Sequence, residues 1–269
     1  MKSFEMSYKS YPSELLNYES QITIQQRAKE LRSYYTGDFS EEFINKNGRR
    51  TDRINEIFSQ LSPEAIAFQH AFIADNPNPL GSKHLMDKPS HAERGEYAAF
   101  HAHYHPYFRN FLEKFGYYDI FLVEPENGKV VYSVFKELDF ATSLVDGPFS
   151  QSNFAAAFRA VQGSRNSDLV KMIDFDQYYP SYQSPASFLS VPIVDGDEQV
   201  GVLIFQIPID QINTTMTNSG SWNSVGLGKS GETYMVSNDY SMRNDSRLLI
   251  EDPDSFFENL QQQNISTEK

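Results

Sequence analysis

Six histidines lie between His70 and His105, and His101 and His105 stand four residues apart. On a helix that spacing puts both rings on one face, an arrangement that can ligate zinc. Ala102 follows His101 where a zinc-protease helix motif needs glutamate. Packed or solvent-facing histidines on a helix beside a sheet are the preferred reading, and no metal ligand is assigned. Nucleophilic catalysis lacks its signature: there is no Gly-x-Ser-x-Gly elbow, and Ser190 runs into Val191-Pro192. Asp174 with Asp176, and Asp195 with Asp197, are paired acids that fit loop or turn positions. Gly226 to Gly231 has the glycines of a phosphate loop but not their spacing before Lys229-Ser230, and a strand-like run follows it. No catalytic residue and no cofactor are expected, so the chain reads as a binding protein rather than an enzyme.

The tyrosine-rich stretch Tyr178-Tyr179-Pro180-Ser181-Tyr182 is the stronger ligand candidate. Tyrosine joins an apolar face to a hydroxyl handle, a combination suited to small polar ligands. Tyr178, Tyr179, Ser181 and Tyr182 would close over a sheet floored by Ser133, Phe135, Phe188 and Ser190, with Lys136 or Asp139 supplying a charge. The competing reading packs the same tyrosines along the sheet edge. Under the first reading, losing Tyr182 or Ser133 should abolish a ligand response without unfolding the chain.

The elements that must position these residues follow from the pattern of the chain. Tyr118 to Val123 and Val130 to Phe135 read as two strands around Glu124-Pro125-Glu126-Asn127-Gly128, where Asn-Gly supplies the positive φ of a hairpin. About 115 residues of helical pattern precede this hairpin. Pro12 to Tyr35 carries apolar residues at spacings of three and four, and Thr36-Gly37-Asp38 should end or bend that helix. Ser62-Pro63 is an N-cap and first-turn pair for a helix to about Ala74. A further helix is predicted from His91 to Phe115, with Pro106 inside it and Gly116 after it. After the hairpin come a short helix capped by Ser152-Asn153 and strands over 169–175, 188–194 and 200–207, the last two joined by Asp195-Gly196-Asp197. A five-stranded antiparallel sheet flanked by helices is the economical packing, an α+β fold. Ile209 to Met216 should be a helix, and Gly228 to Val236 a turn followed by a strand.

Bulk composition sets outer limits. An apolar fraction of 39% over 269 residues is enough to bury a real core. A net charge of -13, with Arg49-Arg50 the only basic doublet, repels phosphate backbones, so nucleic acid is excluded as a partner. The absence of cysteine rules out disulfides and thiolate chemistry. No apolar run approaches the ~20 residues of a membrane span, and Met1 to Met6 has no apolar signal-peptide core. The chain is expected to be soluble as it stands, whether alone or as a piece of a longer membrane protein.

The blocks Tyr117 to Leu144, Pro185 to Ile193, Gly201 to Gln206 and Gly231 to Arg247, in that order, resemble the double PAS-like sensor domains also called double Cache or PDC domains. The resemblance implies a helical region over 1–115, a membrane-distal PAS-like ligand-binding domain over 116–210 and an incomplete membrane-proximal one over 220–269 with a second, smaller sheet. It implies a periplasmic ectodomain of a histidine kinase, chemoreceptor or cyclase, a small-molecule ligand, membrane spans outside this sequence, and a homodimer formed through the N-terminal helix. Where the amino-acid-binding pattern has Arg followed by Trp-Tyr, this chain has Asp176-Gln177-Tyr178-Tyr179. The usual bidentate grip on a ligand carboxylate is therefore not expected. The alternative is a free periplasmic solute-binding or protein-interaction module.

Overall fold

A computed structural model describes residues 24–51, 53–89, 96–237 and 240–265. The chain divides into two compact units, Met1–Ile207 and Pro208–Lys269. In the first, α1 (Ile24–Tyr34) runs into a π-helical turn (Tyr35–Phe39) and then α2 (Ser40–Asn47). Thr36-Gly37-Asp38 thus widens the helix instead of ending it. The Tyr35 carbonyl accepts from both the N–H and, at 2.8 Å, the hydroxyl of Ser40, five residues on, as in a π turn. Gly48, at φ +68°, closes α2 by donating its N–H to the Ile44 carbonyl. Next come α3 (Arg53–Ser59) and α4 (Pro63–Gln69), which leads into a second π turn (His70–Ala74). The Ser62 hydroxyl caps α4 by accepting from the Ala65 N–H. Helix α5 (Glu96–Phe115) passes through Pro106 unbroken and stops at Gly116. The earlier part of the first predicted helix, Pro12 to Thr23, and the predicted start of α5 at His91 lie outside the described residues.

The sheet has five strands, β1 (Asp119–Val123), β2 (Val130–Ser133), β3 (Lys171–Tyr178), β4 (Ser184–Asp195) and β5 (Glu198–Pro208), in the order β2-β1-β5-β4-β3. It is antiparallel as predicted, with Asp119 opposite Gln206 and Phe121 opposite both Ser133 and Ile204. Gly128 makes the first hairpin possible at φ +63°. A Cβ there would stand 3.0 Å from Val145 and 3.1 Å from Phe158, so any other residue adds crowding to a strained φ. Helix α6 (Asn153–Val161) is capped by the Ser152 hydroxyl. Strand boundaries differ from prediction, and β4 begins at Ser184 instead of Phe188. β2 ends at Ser133, not Phe135, because Lys136 turns to φ +58°. β3 runs on to Tyr178, so the tyrosine-rich loop is shorter than its composition suggests.

Alternate strand residues feed two cores. On one face Ile120, Leu122 and Val131 meet Phe68, Phe72 and Tyr97 from α4, its π turn and α5. Phe68 meets Tyr97 edge-on at 5.0 Å and Phe140 at 5.9 Å. Such pairs add roughly 0.5–1.5 kcal/mol each to their burial. On the other face Phe121, Val123, Phe188 and Val202 pack beneath Phe154 and Phe158 of α6. A third cluster joins α1–α3 to the loops, with Leu31, Phe39, Phe43 and Ile57 against Leu138, Tyr179 and Tyr182.

The second unit holds α7 (Ile209–Thr217), α8 (Arg247–Glu251) and α9 (Pro253–Gln262). The strand predicted before Val236 does not form. Among the described residues the expected second sheet is reduced to one antiparallel bridge, Val236 to Met242. Side chains take the backbone groups that a neighbouring strand would need. Asn244 accepts from the Met235 N–H at 2.6 Å and donates to the Thr233 carbonyl at 3.1 Å. Arg247 donates to the Gly228 and Gly231 carbonyls while its guanidinium lies 4.7 Å from the Trp222 ring. No helix among the described residues is long and apolar enough to cross a membrane.

Candidate functional site

Asp119 opens β1 and points to the α6 face of the sheet, where an apolar side chain would be expected. It is fully buried and saturated: Oδ1 accepts from the N–H groups of Ile120, Val134 and Phe135, and Oδ2 accepts from the Ser133 hydroxyl at 2.7 Å. As β2 ends, this carboxylate takes the Phe135 amide and shares the Val134 amide with the Ile120 carbonyl. The chain then turns at Lys136, whose N–H donates to the Ser133 hydroxyl and whose ammonium donates to the Ser133 carbonyl. The ammonium also lies 4.3 Å from the Tyr132 ring and 5.1 Å from that of Phe140. Burial pushes the Lys136 pKa down, and the Asp119 charge opposes that shift. Burial pushes Asp119 up, against the bonds from Ser133 and the backbone.

Two more carboxyls follow within three residues. Glu137 accepts from the Tyr118 hydroxyl at 2.6 Å and the Ser181 hydroxyl at 3.1 Å. Desolvation, then the charges of Asp139 and Asp119, push it well above the usual carboxylate range. Asp139 accepts from the Tyr178 hydroxyl at 2.5 Å. Burial and the Asp119 charge push it up to about 7, against the pull of the Tyr178 bond. Gln206 of β5 donates its amide to the Ser181 oxygen at 3.0 Å. Gln206 Oε1 is buried without a hydrogen-bond partner among the described residues, while the N–H groups of Asp139 and Phe140 turn toward the Asp139 carboxyl and favour its charged form.

Of the predicted site residues, Ser133, Lys136, Asp139, Tyr178 and Ser181 therefore come together, around Asp119, Glu137, Tyr118 and Gln206. The other five are placed elsewhere. Phe135 lies between the rings of Tyr118 at 4.9 Å and His84 at 4.5 Å. The Tyr179 hydroxyl bonds to that of Thr51, and its ring faces Phe43. Tyr182 stacks on Phe39 at 5.0 Å. Both tyrosines clamp their loop to α2 and its approach, not to the sheet. Phe188 packs on Phe154 at 4.9 Å, and the Ser190 hydroxyl donates to the Ala157 carbonyl of α6 at 2.8 Å. Ser133 proves to be a structural tie, so its loss would destabilise the chain and is not a clean probe of ligand response.

Asp119, Glu137, Tyr118 and Gln206 were missed by sequence reasoning. The available signal was a polar residue at a sheet position otherwise occupied by apolar ones. Backbone strain marks the same region: Lys136, Tyr182 and Gln183 are non-glycine residues at φ between +58° and +65°. Strained backbone of this kind clusters at functional sites and costs on the order of 1–3 kcal/mol per residue. Tyr182 is held there by Asn47, which donates to its carbonyl at 2.9 Å. Gln69, at the end of α4, is fully buried and donates to the carbonyls of Leu138 and Phe140 while accepting from the Tyr35 hydroxyl. The loop bearing Glu137 and Asp139 is thereby bonded to both π turns' helices. Beside it lies a cavity of about 20 Å³ lined by Tyr34, Phe39, Lys83, Lys136, Glu137 and Tyr182, room for little more than one water.

The histidine pair is buried between α5 and the sheet. His101 and His105 stack at 4.4 Å. His105 faces the Tyr132 hydroxyl with Nδ1 and the His84 carbonyl with Nε2, so Nε2 carries the proton. Burial pushes His105 down to about 3, with Lys136 acting in the same direction. Among the described residues no group of three or more histidine or carboxylate side chains has metal-binding geometry.

No family model matches the chain, and no curated protein matches it. Among solved structures it is similar to the sensor domain of the V. cholerae histidine kinase DctB, at 13% identity over 65% of this chain and 60% of that one, with a TM-score of 0.33. It is also similar to the extracellular domain of vpHK1S-Z8, named as a histidine kinase, at 12% identity over 80% of this chain and 61% of that one, with a TM-score of 0.27. The chain spans about three fifths of the length of these structures.

Proposed function

We propose that the chain is an extracytoplasmic sensor domain that binds a small molecule at the buried polar cluster and passes the change to the helices preceding the sheet. The observation that carries this reading is the cluster itself. Three carboxyls and an ammonium lie in a sheet core that apolar residues would fill at lower cost, since desolvating charges offsets most of their attraction. Such an arrangement is retained for binding or switching more readily than for stability.

The route outward follows from the contacts. A ligand that reaches Asp139 and Gln206 must displace the loop 136–140, the loop 179–183, or both. The first is bonded through Gln69 to Tyr35. The second is held by Phe39 and Asn47. Movement of either loop therefore shifts α1 or α2, a change in the balance of two packed states. In this proposal the membrane spans and the signalling output lie outside the sequence, and a homodimer registers the helix movement. The alternative, a free periplasmic solute-binding or interaction module, uses the same site and differs in the full-length gene, which would lack apolar spans on both sides.

The test is a thermal-shift screen of the purified chain against amino acids, organic acids, amines and nucleosides. A ligand at a hundred times its Kd adds about 2.7 kcal/mol to apparent stability. We expect one class to raise the melting temperature of the wild type by several degrees. No shift with any class would overturn the small-molecule reading.

A further inference from the structure

Helix α5 carries more aromatic surface than the sheet beneath it covers. Phe100, Tyr104, Tyr107, Phe111 and Phe115 follow one another at spacings of four, three, four and four, and so form one stripe along the helix. The stripe runs alongside the face that buries Tyr97, His101, His105 and Leu112. Tyr107 is 69% exposed, Phe115 54%, Phe111 42% and Tyr104 41%. The rings are in register with one another: Phe100 stacks on Tyr104 at 6.0 Å, and Phe111 lies 4.5 Å from Phe115. Beside the stripe runs an open groove of about 340 Å³, lined by Tyr104, Tyr107, Phe108 and Phe111 from the helix and by Leu203 and Phe205 from β5. No charged side chain among the described residues lines it.

The groove has no converging polar groups to orient a small ligand, and a net charge of -13 opposes an anionic lipid surface. We propose that the stripe is a self-association surface, on which two copies of the chain pair antiparallel along α5 as a weak two-fold dimer. The spacing is that of a helix–helix seam. The most protruding ring, Tyr107, stands beside a groove on the same face, so a two-fold axis across the stripe seats each copy's Tyr107 in the other's groove. An axis midway between Tyr104 and Tyr107 sets Tyr104 of one copy against Tyr107 of the other, and Phe100 against Phe111. Charge fixes the direction. Glu96 and Lys114 are exposed on one edge of the stripe, about five helical turns apart. Antiparallel pairing brings Glu96 of one copy to Lys114 of the other, whereas parallel pairing sets like against like. At roughly 200 Å² for a whole aromatic side chain, the four exposed rings offer roughly 400 Å² per copy. Two copies with a polar rim thus reach the ~1,000 Å² at the small end of specific interfaces. This contact does not rest on the sensor reading, and it lies on α5, not on the N-terminal helix that the resemblance implied.

The experiment is sedimentation velocity on the full chain from about 1 µM to about 500 µM, where mass action should carry the wild type from monomer toward dimer. Tyr107→Glu changes a mostly exposed side chain, so the dilute protein should melt as the wild type does while the dimer Kd rises at least about tenfold. At low salt, Glu96→Lys and Lys114→Glu should each raise Kd about threefold, and the double variant should restore it. Restoration separates the antiparallel pairing from any other contact, since neither single change touches the core. A wild type that stays monomeric throughout, a dimer indifferent to Tyr107→Glu, or a double variant no tighter than the single ones would each overturn the proposal. A monomeric wild type that floats with phosphatidylcholine vesicles would overturn it too, and would give the stripe to a lipid surface.

Discussion

Replacing Gln69 by leucine isolates the joint between the helices and the carboxyl-bearing loop. Leucine preserves most of the volume at a fully buried position, so the loss is confined to hydrogen bonds. Three groups lose their partner: the carbonyls of Leu138 and Phe140 and the hydroxyl of Tyr35. At roughly 1–3 kcal/mol for each buried group left unpaired, and with some relaxation, Gln69→Leu should cost about 4 kcal/mol. Tyr35→Phe removes one donor and leaves only the Gln69 oxygen bare, so it should cost about 1 kcal/mol. Because the two share a bond, the double variant should be about 1 kcal/mol more stable than the sum of the single losses. Urea titration followed by far-ultraviolet circular dichroism measures all four proteins. A Gln69→Leu loss under 1 kcal/mol, or strict additivity in the cycle, would refute the claim that this side chain couples loop to helix.

Two further outcomes follow from the electrostatics and the second unit. A carboxyl whose folded pKa is raised holds its proton more tightly in the native state, so Asp139 supports the fold below about pH 4 and loses that support as pH rises through 7, at up to about 1.4 kcal/mol per pH unit. The buried His101 and His105, with lowered pKa values, act oppositely below an unfolded value near 6.5. The readout is thus the difference between wild type and Asp139→Asn, which should turn in favour of the variant between pH 5 and pH 7.5; a constant difference would contradict it. In the second unit, Arg247→Ala should cost about 3 kcal/mol, from two charged bonds to carbonyls and the stacking on Trp222. Trp222 is the only tryptophan and is buried, so its emission should shift to the red; an unchanged spectrum would count against the contact.

Local chemistry was well expressed in the sequence. Ser62 and Ser152 cap where their spacing places them, Gly48 and Gly116 close helices, and Asn127-Gly128 makes the first hairpin. Tertiary satisfaction was not. Asp119 and Gln206 look like solvent-facing members of alternating strands, and only the β1–β5 register sets them opposite each other inside the core. Tyr179 and Tyr182 were identifiable as aromatic loop residues, but composition does not say that the loop would close onto Phe39 and Phe43 instead of onto the sheet. Tyr234-Met235-Val236 has the residues of a strand, yet Asn244 lies nine residues beyond Met235 and occupies the backbone groups a partner strand would use. Propensity is a weak prior when a side chain supplies the hydrogen bonds first.

The strand order has a consequence for how the molecule is made. The centre of the sheet is β5, the last strand to be synthesised, and its partner β1 ends 75 residues before β5 begins (198 against 123). The β1–β2 ribbon can close early, since its ends lie close in sequence, but β1 gains its second neighbour only when β5 is available. Two-stranded ribbons are marginal in water. The nascent chain therefore carries Ile120, Phe121 and Leu122 on an unpaired edge while residues 124–208 are made, a period in which association with other chains competes with folding. Asp119 sits on that edge as well, and until β5 arrives it remains a charged gatekeeper at the end of an adhesive strand.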